Sequence, residues 1–289
     1  MSPTNRYLAL FNGQVVIVRP GPALTPYPAK VPLSSVATIA WPAPFADHGL
    51  ALVMLQDYGS PVSYDSPISV VSMTTGQQSS LGVGEHVAGD PQARGAFVSV
   101  PAPAKPSATA TQASPDSRIE LRDAARPTVL LATAGGMNRA LGEPVGTPVA
   151  LAAYAAPSGT KVAVTVQPVA GGTPGGIVVI DRQGRVLDRK WVMAGVQAIP
   201  AWSPSGRSLA YLTAGAGGAT EVEVWTPDKG IVTRRLPAAS GPYNRCIWSP
   251  DARSVLCAAS GGGQWAITRA GGGSVVAVRG PGLPVAWLP

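Results

Sequence analysis

The chain has 289 residues, 45% of them hydrophobic and only 13% charged, with a formal net charge of +7. That is enough apolar material for a real core, under a surface built mostly from uncharged polar and small residues. The 22 Lys and Arg residues are scattered and never run three together, which argues against a dedicated nucleic-acid surface, and no run of 18 or more apolar residues offers a transmembrane helix.

Gly 34 and Pro 30 together exceed a fifth of the chain and recur between Val/Leu/Ile/Ala runs of four to seven residues. No segment of 12 or more residues carries a helical period, so the expectation is many short strands joined by tight turns. Residues 7–11 and 15–18 flank Asn12-Gly13, the strongest short hairpin signal, so the N-terminus does not read as a signal peptide. A third strand is expected near residues 24–29. A repeat opens at Ala40-Trp41-Pro42 and resumes at residues 49–53; another opens at Gly89-Asp90-Pro91. Residues 101–116 are low-complexity and read as a flexible surface insert within the second unit of the repeat. Residues 119–122 and 127–131 resume the strand pattern. A degenerate copy, Ala156-Pro157-Ser158-Gly159, is followed by strands at 178–180 and 186–187.

The two sharpest copies come last: Ala201-Trp202-Ser203-Pro204-Ser205-Gly206-Arg207-Ser208-Leu209-Ala210-Tyr211 and Ile247-Trp248-Ser249-Pro250-Asp251-Ala252-Arg253-Ser254-Val255-Leu256-Cys257, their tryptophans 46 positions apart. Each reads as strand, Ser-Pro turn, strand, with a second strand pair behind it. Four strands at such a period is the pattern of a β-propeller. The chain ends on Val285-Ala286-Trp287-Leu288-Pro289, an opening with nothing after it, and begins with the strands that opening lacks. The fold expectation is therefore all-β: one six-bladed β-propeller domain over residues 1–289, with four-stranded antiparallel blades, closed by pairing of the N- and C-terminal strands.

The strings at Trp202 and Trp248 resemble the WD40-like (PD40) repeat of TolB-type propellers. The resemblance covers about 250 residues as a repeat pattern and implies the propeller fold. Two departures stand out: Ala252 occupies the usual glycine position, and the copies at Gly89 and Ala156 lack the tryptophan.

Little catalytic chemistry is present. His48 and His86 are the only histidines, the two cysteines have no histidine beside them, and the 15 acidic residues show no calcium-loop spacing, so neither metal nor cofactor is expected. No nucleophile elbow or phosphate loop occurs. Asp90, Asp228 and Asp251 sit in turns, where a carboxylate accepts backbone N–H groups. Trp202, Trp248 and Trp287 read as core wedges, and Trp191, Trp225 and Trp265 as packing residues. The favoured function is a non-catalytic, monomeric binding or scaffold module engaging a protein, peptide or cell-envelope component. Its surface would be the loop face that includes residues 193–197, 243–245, 261–264 and 279–283. Tyr58, Glu85, His86, Tyr243 and Arg245 are the candidate contacts, since exposed Tyr and Arg favour interfaces. The alternative is a lyase-type enzyme or a lectin using the central channel, with His48, His86 or Glu85 at its site.

The cysteines carry the localisation argument. If Trp248 lies opposite Val255, antiparallel partners have positions summing to 503, and Cys246 plus Cys257 makes that sum. Opposed residues can come close enough for a disulfide. That places the chain in an oxidising, extracytoplasmic compartment, with any signal or anchor outside this sequence. The competing reading is two buried thiols in a cytoplasmic protein.

Overall fold

The computed structural model describes residues 7–11, 15–19, 25–26, 38–40, 51–55, 66–72, 77–84, 97–99, 118–123, 126–157, 160–168, 175–192, 200–226, 229–260, 263–280 and 282–288. The segment 101–116 and the candidates His48, Tyr58, Glu85 and His86 lie outside them, as do Asp90 and Asp228.

In chain order the strands are β1 (Tyr7–Phe11), β2 (Val15–Arg19), β3 (Thr25–Pro26), β4 (Thr38–Ala40), β5 (Ala51–Leu55), β6 (Ser66–Ser72), β7 (Gln78–Gly84), β8 (Phe97–Ser99), β9 (Arg118–Asp123) and β10 (Arg126–Thr133). An eight-residue helix, α1 (Ala134–Leu141), follows. Then come β11 (Val149–Ala155), β12 (Lys161–Pro168), β13 (Gly175–Asp181), β14 (Val186–Val192), β15 (Ala201–Trp202), β16 (Leu209–Ala214), β17 (Thr220–Thr226), β18 (Gly230–Arg235), β19 (Tyr243–Trp248), β20 (Ser254–Ala259), β21 (Gln264–Arg269), β22 (Val276–Arg279) and β23 (Leu283–Leu288). Four sheets each take four consecutive strands: β4–β7, β11–β14, β15–β18 and β19–β22. A fifth has the order β23-β1-β2-β3, so the last strand pairs antiparallel with the first, Ala9 opposite Ala286. The sixth, β10-β9-β8, has three strands among the described residues, and α1 follows β10 in the chain.

Contacts group the chain into two compact units: 1–39, 73–76 and 195–289 in the first, 40–72 and 77–194 in the second. In the first unit both faces of the inner strands are buried. On β19 and β20, Cys246, Trp248, Val255, Cys257 and Ala259 join a core with Leu212, Val222 and Leu236 of the preceding sheet. The alternate residues Ile247, Leu256 and Ala258 join a second core with Trp265, against which Trp287 packs. This period of two is what a strand dictates when both of its faces are covered. The Trp248 indole N–H also donates to the Ala201 carbonyl at 2.7 Å. Trp191 departs from the expected packing role. It lies on an outer strand and is 42% exposed.

The Ser-Pro turns show why the repeat has its residues. In the hairpin after β15, Gly206 N–H donates to the Ser203 carbonyl, and Ser208 N–H to the Ser203 hydroxyl. The hairpin after β19 repeats this with Ala252, Ser249 and Ser254, and Asp251 accepts from the Ser249 hydroxyl and the Arg253 N–H. The fourth residue of the motif needs positive φ: +64° at Gly206 and +56° at Ala252. A Cβ there is strained. Ala252→Gly is therefore expected to stabilise the protein by about 0.5–1 kcal/mol once the greater freedom of glycine in the unfolded chain is subtracted. A denaturation midpoint that does not rise would contradict this.

The second unit has its core between α1 and the sheets β8–β10 and β11–β14, where Ala134, Met137 and Leu141 meet Ile119, Leu131, Val164, Val178 and Ile180. The helix starts at Thr133, whose hydroxyl accepts the Gly136 N–H, and stops at Gly142, with φ of +82°. In the β13–β14 turn, Asp181 accepts N–H groups from Gln183 and Arg185 and the Arg185 guanidinium at 2.6 Å. Burial alone would raise its pKa, but the hydrogen bonds from Arg185 and Gln183 outweigh it and hold the carboxyl below the usual range. With the folded pKa depressed, its stabilisation is present above the ordinary aspartate pKa and is lost as pH falls through the lowered one. Asp181→Asn is expected to flatten the acid limb of the stability profile, measured by chemical denaturation from pH 7 to pH 2. An unchanged acid limb would contradict the assignment.

Candidate binding surface

At one end of the β19–β22 sheet three loops are tied together. Ser240 N–H donates to the Gln264 side chain at 2.5 Å, and Ser260 N–H to the Pro242 carbonyl at 2.8 Å. Gly280 N–H donates to the Gly263 carbonyl at 3.1 Å, and the Trp265 indole to the Gly282 carbonyl at 3.1 Å. The segment entering β19, the β20–β21 hairpin and the segment leaving β22 therefore meet. A Cβ on Gly280 would fall within 2.1 Å of the Trp265 ring, so the absence of a side chain there lets the loop close over the indole. Three of the segments expected on the loop face, 243–245, 261–264 and 279–283, contribute described residues to this cluster.

The candidate residues within it behave differently. Tyr243 was expected as an exposed loop anchor, and this is corrected: it is the first residue of β19, 4% exposed, and packs in the core with Cys246 and Trp248. Burial pushes its hydroxyl pKa up. The reason lies in strand length. β15 covers only two residues, whereas β19 covers six, so the strand begins earlier than in the preceding repeat. Arg245 also lies on β19, half-buried, opposite Ala258. Between them Asn244 is bulged out of register, since Tyr243 pairs with Ala259 and Arg245 with Ala258. Its side-chain Oδ1 is buried with no hydrogen-bond partner among the described residues. Bulges of this kind re-aim side chains; the sequence carried no signal for it. Arg279, at the end of β22, is exposed.

One residue beyond Arg245, Cys246 is paired with Cys257, with Cα atoms 4.1 Å apart and the sulfurs bonded at 2.07 Å. Both are buried, 3% and 0% exposed. The bond cross-links the two strands that carry the loop cluster. Among the described residues no three His, Cys, Asp or Glu side chains are grouped to hold a metal, and no helix is long and apolar enough to cross a membrane.

No family model and no curated protein matches the chain. Solved structures do. TolB from Acinetobacter baumannii aligns with 98% of this chain at 15% identity and a TM-score of 0.62. The β-propeller domain of Cps50 (Swd1) from Myceliophteria thermophila aligns with 99% of this chain and 88% of its own length, at 11% identity and a TM-score of 0.55. The chain has a TolB-like β-propeller fold. It spans 66% of the length of TolB. Hydrazine synthase from Kuenenia stuttgartiensis also aligns, over 93% of this chain and 75% of its own length at 13% identity, with a TM-score of 0.51. At these identities the likeness describes the fold, and a synthase among the neighbours means that the propeller alone does not separate binding from catalysis.

Proposed function

We propose that the chain is a six-bladed, end-closed propeller acting as a non-catalytic binding or scaffold module. It engages a protein, peptide or envelope component through the loop cluster at the end of the β19–β22 sheet. The observation that carries this reading is the interlocking of the three loops. Their backbone and side-chain hydrogen bonds pre-organise a surface that would otherwise lose ordering entropy on binding. The buried cysteine bond behind it adds stiffness, and Arg245, Asn244 and Arg279 supply polar contacts at its margin. The same bond supports an extracytoplasmic setting, because such pairs persist where thiols are not kept reduced.

The test is position-specific photo-crosslinking in an envelope fraction. A photoreactive residue at Arg279 samples the loop end of the sheet; one at Arg253 samples the Ser-Pro turn at the opposite end. Adducts of a discrete mass from position 279 and none from 253 are expected. Equal labelling, or labelling from 253 alone, would overturn the loop-face reading.

A further inference from the structure

The second unit carries a surface that the loop-face reading does not use. Five of the seven exposed large apolar residues among the described ones belong to it: Leu130, Val145, Val186, Leu187 and Trp191, each 41–54% exposed. Three of them, Val186, Leu187 and Trp191, lie on β14, and Val145 lies in the loop after α1, the helix that packs against β14. Val186, Arg189 and Trp191 lie opposite Ile180, Val178 and Gly176, so they share the face on which Val178 and Ile180 meet α1. Leu141 of α1 fills the space above Gly176, 2.6 Å from where a Cβ would stand, which puts the end of the helix beside Trp191. The Arg189 guanidinium donates to the Ala140 carbonyl there. The loop after α1, which holds Val145, is fixed by Asn138, whose side-chain amide donates to the Val145 and Thr147 carbonyls. At the other end, the β13–β14 turn rests on Leu131, the neighbour of Leu130.

Three features say what this surface fits. β14 is the outer strand of its sheet, seven residues long without Pro or Gly, so it offers a ladder edge to an extended chain. Its exposed side chains include Leu187 and Trp191 rather than polar groups alone. α1, the loop after it, the β13–β14 turn and β14 carry five basic residues, of which Arg139, Arg185 and Arg189 are exposed, against two acids, Glu143 and Asp188, both half-buried. We propose that the outer edge of β14, flanked by α1, docks an extended partner segment that adds as a fifth strand, with acidic and apolar residues taking turns at every second position along its α1-side face. Acidic groups meet the arginines, and apolar ones cover Leu187 and Trp191.

Three probes test this on the isotope-labelled full chain, followed by backbone amide shifts: a ten-residue peptide with leucine and glutamate taking turns at its odd positions and threonine at its even ones, the same peptide with lysine for glutamate, and phosphatidylglycerol vesicles. The acidic peptide should give saturable shifts confined to β14, α1 and residues 142–148, with at least tenfold tighter binding than the lysine peptide. Leu187→Ser/Trp191→Ser, at two side chains about half exposed, should weaken it at least tenfold while the far-UV circular dichroism stays that of the unmodified chain. Shifts elsewhere, equal response to both peptides, no saturation, or vesicles perturbing β14 in place of the peptide would each overturn the proposal. The peptide comparison on the unmodified chain stands even if the double variant folds poorly.

Discussion

Gly184→Ala is expected to destabilise the second unit by roughly 1.5–4 kcal/mol, net of the freedom glycine has in the unfolded chain. Gly184 has φ of +76°, a conformation that costs a residue with a Cβ about 1–2 kcal/mol. An added Cβ would also stand 2.0 Å from the Leu131 carbonyl oxygen, a main-chain atom of β10 that has no rotamer to move into. Forcing the turn and the strand apart adds about 1–3 kcal/mol. Gly230 is the control. Its φ is also +76°, but nothing lies within 4 Å of a Cβ built on it. Gly230→Ala should therefore cost only about 0.5–1 kcal/mol, the conformational part net of the greater freedom of glycine in the unfolded chain. Urea denaturation of both variants separates the two contributions. Equal losses would mean that the turn does not rest on β10.

Removing the cysteine bond is the second large effect. Cys246→Ala/Cys257→Ala should destabilise the first unit by about 3 kcal/mol, the order expected from freeing a loop of this size in the unfolded chain. The sequence separation is 11 residues, and both side chains are buried in the core that also holds Trp248 and Tyr243. In thermal unfolding this is a drop of roughly 6–12 °C. Because the bond is shielded, reductant alone should leave the native protein cross-linked, and reduction should proceed only with denaturant added. Intact mass after alkylation reads both states. Two alkylated cysteines in native protein purified without reductant would contradict the bond, and with it the argument for an oxidising compartment.

What the sequence revealed was whatever the repeat enforces. The tryptophans and Ser-Pro turns at 202 and 248 have side chains that the hairpin geometry requires, so strand ends and pairing followed from them, down to the opposition of Cys246 and Cys257. Ala252 was legible as a departure because its neighbours keep the motif. Features peculiar to one repeat were harder to read. α1 was missed because it is eight residues long and holds two glycines, so no window of 12 or more shows its period. Its local signals were present: a threonine cap, Met137 and Leu141 spaced by four, and a terminal glycine. Tyr243 was misplaced because the repeat motif marks the end of β19 at Trp248 but not its start, and the strand runs back to Tyr243. The docking edge on β14 depends on where α1 lies, and the sequence does not carry that.

In the proposed propeller the two ends close one blade and so hold the last inner strand in place. Ala9→Cys/Ala286→Cys, made in a Cys246→Ala/Cys257→Ala background, tests it most directly, because these residues are paired across β1 and β23. Mild oxidation followed by non-reducing peptide mapping should recover a single cross-link between positions 9 and 286, with a raised melting temperature. Two cysteines that stay open to alkylation in the folded, oxidised protein would contradict closure.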